Sequence, residues 1–214
     1  NRAAAFIICA IFFSAGPVSG SDDMAQSVAD ELAELKSDRA EVYRQNAREK
    51  IVDMGAKAVP HLAQYLSDDN EDLSGSILDI IGEINDPGSA SLVLRFMDQT
   101  ASVELLCDSI KILGNLKHAG AVPKLVSTLN DSPETLLFAK DIQNVALATI
   151  WALGEIGSKS AVPHLLQFAK SNNKVIYLTA VADALGKIND ARSLPFLLDQ
   201  LKHRDTSVRV NAAR

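Results

Sequence analysis

The chain has 214 residues, 47% hydrophobic and 22% charged, enough to bury a core and too apolar for a disordered segment. A net charge of −6 and a pI near 5.2 exclude a general nucleic-acid binder, which needs a basic face to displace counterions from phosphate. Aromatic residues make up only 5%, while Ala, Leu, Ile and Val dominate, the balance of many thin helices packed closely.

The N-terminal segment 1–20 reads as a secretory signal. Arg2 precedes an uncharged run from Ala3 to Phe13, and the small residues from Ser14 to Gly20 follow, giving a charged, an apolar and a cleavage region, with cleavage after Gly20. The apolar run is shorter than the ~20 residues that span a bilayer as a helix, so no membrane span is expected in the mature chain. A lipoprotein reading through Cys9 is set aside because bulky Ile8 precedes it. The chain starts at Asn1, so the beginning of the signal is expected to be missing. An extracytoplasmic location, periplasmic or secreted, is therefore expected. Removal of the signal leaves Cys107 alone, so the mature chain forms no internal disulfide.

Residues 21–57 read as a helical pair, Met24 to Lys36 and Arg39 to Met54, with Val28, Leu32 and Leu35 on one face of the first helix. Such a pair caps an array whose terminal stacking face would otherwise be bare.

Residues 58–214 repeat. Leu113-Gly-Asn-Leu-Lys-His-Ala-Gly-Ala-Val-Pro-Lys-Leu125 matches Leu153-Gly-Glu-Ile-Gly-Ser-Lys-Ser-Ala-Val-Pro-His-Leu165 and Leu185-Gly-Lys-Ile-Asn-Asp-Ala-Arg-Ser-Leu-Pro-Phe-Leu197. A weaker copy begins at Ile81. The repeat glycines are Gly82, Gly114, Gly154 and Gly186; one interval is longer than the others by about two helical turns. Pro60, Pro123, Pro163 and Pro195 suit the first turn of a helix A, where a missing N–H costs nothing. Polar turns such as Ser67 to Asn70, Asn130 to Pro133, Ser171 to Asn173 and His203 to Thr206 cap and turn the backbone before a helix B. Counted back from the glycine, apolar residues recur in one helical stripe: Val145, Thr149, Ile150, Leu153 and Ile156 in one unit, Tyr177, Val181, Ala182, Leu185 and Ile188 in the next. The predicted fold is all-α, an α-solenoid of tandem antiparallel helical hairpins. Val208 to Arg214 reads as the start of another helix B, so the array is expected to continue.

These motifs resemble HEAT repeats, in particular the short HEAT-like repeats of phycobilisome lyases, with their Ala-Leu-Gly-x-Ile-Gly and Ala-Val-Pro-x-Leu patterns. The resemblance covers roughly Val42 to Arg214 and implies a repeat superhelix, not one activity. Ser91 stands where the proline is missing, and the first unit reads Ile51-Val-Asp-Met-Gly55 without Leu-Gly.

The four histidines, His61, His118, His164 and His203, do not cluster: His61 and His164 hold one repeat position in units too far apart to share a metal at roughly 10 Å per helix layer. Neither Cys-x-x-Cys nor His-Glu-x-x-His occurs, nor the His-Glu pairs of di-iron HEAT-type hydroxylases. Asp68-Asp69 and Glu71-Asp72 lack the alternate spacing of a calcium loop and read as a solvated turn. The repeat glycines read as helix-end or packing features, not a phosphate cradle. Cys107 is read as a partly buried structural thiol, with a nucleophile as the alternative. No metal and no cofactor is expected.

What the repeat leaves is a face. Helix B positions ten and three before the glycine and one after it lie opposite the apolar stripe: Asp72, Asp79 and Glu83; Glu104, Lys111 and Asn115; Asn144, Trp151 and Glu155; Ile176, Asp183 and Lys187. Equal positions stack into ladders that begin acidic and become mixed. Trp151 takes a position held elsewhere by charged residues, so it is either an exposed hot spot or a ring lying across the neighbouring helix. The insertion from Pro133 to Lys140 either projects Leu136, Leu137 and Phe138 toward a partner or folds them over adjacent turns. The expected function is an exported, non-enzymatic scaffold that binds a protein or peptide on the concave helix B face through Trp151, Glu155, Asn144, Lys111, Asp79, Asp183, Leu136, Leu137 and Phe138. The alternatives are a lyase-type or chromophore-handling protein, or an accessory module of a longer exported enzyme.

Overall fold

The computed structural model describes residues 20–37, 40–131 and 140–214, and side chains from 23 onward outside 38–39 and 131–144. Residues 1–19 of the proposed signal and the Leu136, Leu137 and Phe138 trio lie outside the described residues, as does the side chain of Asn144. Every regular element is helical, with no strand among the described residues.

The first two helices are α1 (Gly20–Leu35) and α2 (Glu41–Met54). Val28 and Leu32 are fully buried as their stripe requires, and Ile51 meets them from α2. Then A and B helices alternate: α3 (Val59–Leu62), α4 (Glu71–Ile84), α5 (Ala90–Met97), α6 (Val103–Asn115), α7 (Val122–Asp131), α8 (Lys140–Ile156), α9 (Val162–Ser171), α10 (Val175–Ile188), α11 (Leu194–Gln200) and α12 (Thr206–Ala212). The second helices make one row, with α2, α4, α6, α8, α10 and α12 each packed on the next, and the first helices lie against it. This is the predicted α-solenoid.

The prolines stand one residue inside their helices, each preceded by a 3-10 turn at 55–57, 119–121, 159–161 or 191–193, so the missing N–H falls in the first turn. The first unit departs: α3 lasts only four residues before a 3-10 turn, Ala63–Tyr65. Asn70 caps α4 by accepting from the Leu73 N–H at 3.0 Å, and Asp205 caps α12 from Ser207 at 2.8 Å. In α8, buried Thr149 satisfies its hydroxyl on the Val145 carbonyl at 2.7 Å.

The repeat glycine is a packing device, not a helix end. A Cβ on Gly154 would lie 2.9 Å from Ala184 Cα, and one on Gly114 would lie 2.9 Å from both Ala152 Cα and Trp151 Cζ3. Each glycine therefore faces the residue two before the next glycine. The left-handed cap comes three residues later, at Asn85, Lys117, Gly157 and Asn189, with φ of 51°, 49°, 70° and 51°. Glycine or asparagine suits that conformation; lysine does not.

The turn at Asp68 is not merely solvated. Its carboxylate accepts from Thr100 Oγ1 at 2.6 Å and the Ala101 N–H at 2.7 Å, tying one inter-helix turn to the same turn of the next unit. These hydrogen bonds hold its pKa below the ordinary carboxylate value, Thr100 contributing most.

Gly154→Ala should lower stability by about 1–3 kcal/mol through overpacking. Gly75→Ala, in α4 with nothing within 4 Å of the new Cβ, should raise it by about 0.5–1 kcal/mol through helix propensity. Urea unfolding of both variants checks the pair. Lys117→Gly should raise the urea midpoint, by about 0.5–1 kcal/mol, by relieving the left-handed lysine.

Candidate functional site

The helix B row presents the laddered positions as the spacing requires. Asp72, Asp79, Glu83, Glu104, Lys111, Asn115, Ile176 and Lys187 are exposed, while Trp151, Glu155 and Asp183 are half-buried. Equal positions meet as rungs. Lys187 Nζ lies 2.7 Å from Glu155 Oε1, its equivalent one helix away, and 2.9 Å from Asp183 Oδ2 on its own helix. These carboxylates, Glu155 first, raise the Lys187 pKa against the opposing effect of burial. Arg48 on α2 meets Glu83 on α4 at 3.0 Å.

Within this face a groove of about 800 Å³ runs between α6 and α8. Its α6 wall offers Glu104, Cys107, Asp108, Lys111 and Asn115, and its α8 wall Leu147, Ala148 and Trp151. Trp151 packs against the core with its ring edge over Gly114, so the indole lies across the neighbouring helix and still lines the groove. Lys111 donates to Asp108 Oδ1 at 2.8 Å. That hydrogen bond is the main cause of its raised pKa, to which the nearby Asp79 carboxylate adds. Lys111 therefore stays a cation throughout the neutral range.

The structure brings together Lys111, Trp151 and Asp79 around or beside the groove, and places Glu155 and Asp183 one helix further along. Sequence reasoning missed Asp108, Leu147 and Ala148. Their signal was present: six or seven positions before the glycine falls between the laddered positions at helical spacing. Cys107, 8% exposed, is a thiol on the groove wall. All four histidines are half-buried. Among the described residues no group of three or more His, Cys, Asp or Glu side chains is placed to hold a metal ion, and no helix is long and apolar enough to cross a membrane.

A family model described as HEAT repeats matches residues 134–214. The complex of CpcE and CpcF of phycocyanin lyase from Nostoc sp. PCC7120 superimposes with a TM-score of 0.60 at 18% identity, covering 98% of this chain and 79% of that one. This chain is a HEAT-like solenoid. Human deoxyhypusine hydroxylase in complex with glycerol is also similar, with a TM-score of 0.42 at 15% identity over 91% of this chain and 85% of that one. A comparison with curated proteins gives no match.

One expectation is corrected by these findings. The absence of paired catalytic motifs was read as the absence of enzymatic activity, yet the HEAT-like solenoid that this chain superimposes on comes from a lyase complex. Motifs of side chains close in sequence test for only some chemistries. A groove assembled from ladders on two helices carries no such motif.

Glu155→Gln should cost a few tenths of a kcal/mol near neutral pH, as for a surface ion pair. A lysine whose folded pKa is raised contributes below its unfolded pKa and loses that contribution as pH rises through the folded one. The gap between wild type and variant should therefore close on the alkaline side; urea midpoints across a pH series check it.

Proposed function

We propose that the chain is a lyase-type, chromophore-handling HEAT-like protein that takes its ligand in the α6–α8 groove. The observation that carries the reading is the groove's lining: an indole and Leu147 on one wall face a lysine and a thiol on the other. A flat conjugated molecule stacks on an aromatic and aliphatic wall, and a carboxylate it carries pairs with an ammonium held in place by Asp108. The likeness of fold to a phycocyanin lyase complex supports the choice of ligand class. Cys107 stands where a thiol can approach a bound ligand, and partial burial keeps it from bulk oxidants.

A second reading keeps the same face for a protein or peptide partner. What favours it is the acidic start of the ladders, Asp72, Asp79 and Glu104, exposed side by side on α4 and α6. A partner segment carrying cations would follow those rungs toward Trp151. Export is proposed on the sequence alone: mature protein recovered outside the cytoplasm should begin after Gly20, and an intact N terminus in a cytoplasmic fraction would contradict it.

Trp151 is the single tryptophan of the chain, so its fluorescence reports the groove directly. Titration with a linear tetrapyrrole such as biliverdin should quench it saturably. Lys111→Glu should weaken binding by about tenfold, the loss of roughly one charge-assisted contact. Unchanged fluorescence at saturation, or an unaffected Lys111→Glu variant, would sink the chromophore reading; Asp79→Lys abolishing capture of a cationic peptide would favour the second.

A further inference from the structure

A second cleft, of about 670 Å³, lies away from the groove, between α9, α11 and the turns that follow them. Its lining departs from that of the preceding unit. In α9 and α10, Phe168 and Tyr177 pack edge to face, with centroids 5.2 Å apart and planes at 82°. One unit later Gln200 and Arg209 take those two positions. The positions equivalent to Gln200 in other units hold Tyr65, Phe96, Thr128 and Phe168. Arg209 donates to the carbonyls of His203 and Arg204 at 2.9 Å each, while Gln200 lines the cleft beside Phe196.

Gln200 is 7% exposed and lines the cleft, and its Oε1 has no hydrogen-bond partner. Its Nε2 reaches only Asp199 Oδ2, at 3.3 Å. A carboxylate cannot donate, so turning the amide over would satisfy nothing. A buried unpaired carbonyl costs about 1–3 kcal/mol, a cost that a ligand's N–H or O–H removes. Around it stand donors. Lys170 and Arg204 are exposed and carry no ion pair among the described residues. His203 accepts the Asp205 N–H on Nδ1 at 3.0 Å, which leaves its Nε2 as the donor. Arg192 is spent on Asp190 and the Lys159 carbonyl and holds the rim.

One acceptor in the floor and three donors at the rim match an extended acidic segment, whose backbone N–H meets Gln200 while a carboxylate meets Lys170, His203 and Arg204. Charge across the chain agrees. Residues 157–214 carry nine Lys and Arg against four Asp and Glu, whereas residues 20–131 carry ten against twenty, so this end alone attracts anions. We propose that the α9–α11 cleft is a docking site for an acidic peptide segment of a partner protein, separate from the α6–α8 groove.

The test is fluorescence anisotropy of the full chain with a labelled peptide of alternating glutamate and alanine. Binding should be saturable and about tenfold weaker in Gln200→Phe, which restores the aromatic of other units, and in Lys170→Glu and Arg204→Glu. Lys174→Glu, on the same end but outside the cleft, should bind as wild type. Gln200→Glu provides a polar variant of the same shape and should weaken binding by repulsion, so a folding defect in Gln200→Phe does not decide the matter. Wild-type affinity in both Gln200 variants, or equal weakening by Lys174→Glu, would overturn the site. Displacement by equimolar inorganic phosphate would reassign it to small anions. Dimers dissolved by the peptide would reassign it to the acidic end of a second copy.

Discussion

The close approach of one helix B to the next governs this molecule. At Gly114 and Gly154 the backbone of one helix comes so near Ala152 and Ala184 of its neighbour that a single added carbon would sit 2.9 Å from the opposing Cα. The tripeptides Ala152-Leu-Gly154 and Ala184-Leu-Gly186 then have a mechanical meaning. The alanine receives the preceding unit's glycine, the leucine enters the core with no exposure, and the glycine opens the next seam. Gly82 meets a larger partner, Ile112, whose Cγ1 would lie 3.3 Å from an added Cβ. The α4–α6 seam is therefore filled by a side chain, while the later seams are backbone against backbone.

That spacing fixes what the exposed face can do. Helices so close bring equal repeat positions within ion-pair reach, as Glu155 and Lys187 show. Trp151 interrupts that pattern. Its ring edge rests over Gly114 of α6 and so makes an apolar wall beside Lys111 and Cys107. The groove is a consequence of the seam, and the thiol and the ammonium become neighbours of the indole only because α6 and α8 touch there.

Most of the architecture was legible in the sequence because a solenoid writes each contact several times. Register of glycine, proline and the apolar stripe placed the hairpins, the buried faces and the exposed ladders, and Val28 and Leu32 marked the buried face of the first helix. Three things were not legible. The glycine's role needed its neighbour, since Gly114 and Ala152 are far apart in sequence and either packing or termination would explain a glycine there. The left-handed positions Asn85, Lys117, Gly157 and Asn189 share a conformation but not a residue type. The cross-turn bonds from Asp68 to Thr100 and Ala101 join units whose turns differ in sequence. Of the candidate site, the ladder residues followed from periodicity, whereas Asp108 and Leu147 did not, because a groove between two helices belongs to neither pattern alone. The inference from missing motifs to missing activity is overturned instead by the likeness of fold to a lyase complex.

The seam at Gly114 is the most direct point of test, because it carries the packing and the groove together. Fluorescence of the lone Trp151 in folded Gly114→Ala should shift to longer wavelength and become more accessible to acrylamide, since a Cβ there displaces Cζ3 of the ring. Gly75→Ala should leave both unchanged. A folded Gly114→Ala with wild-type emission and quenching would contradict the account.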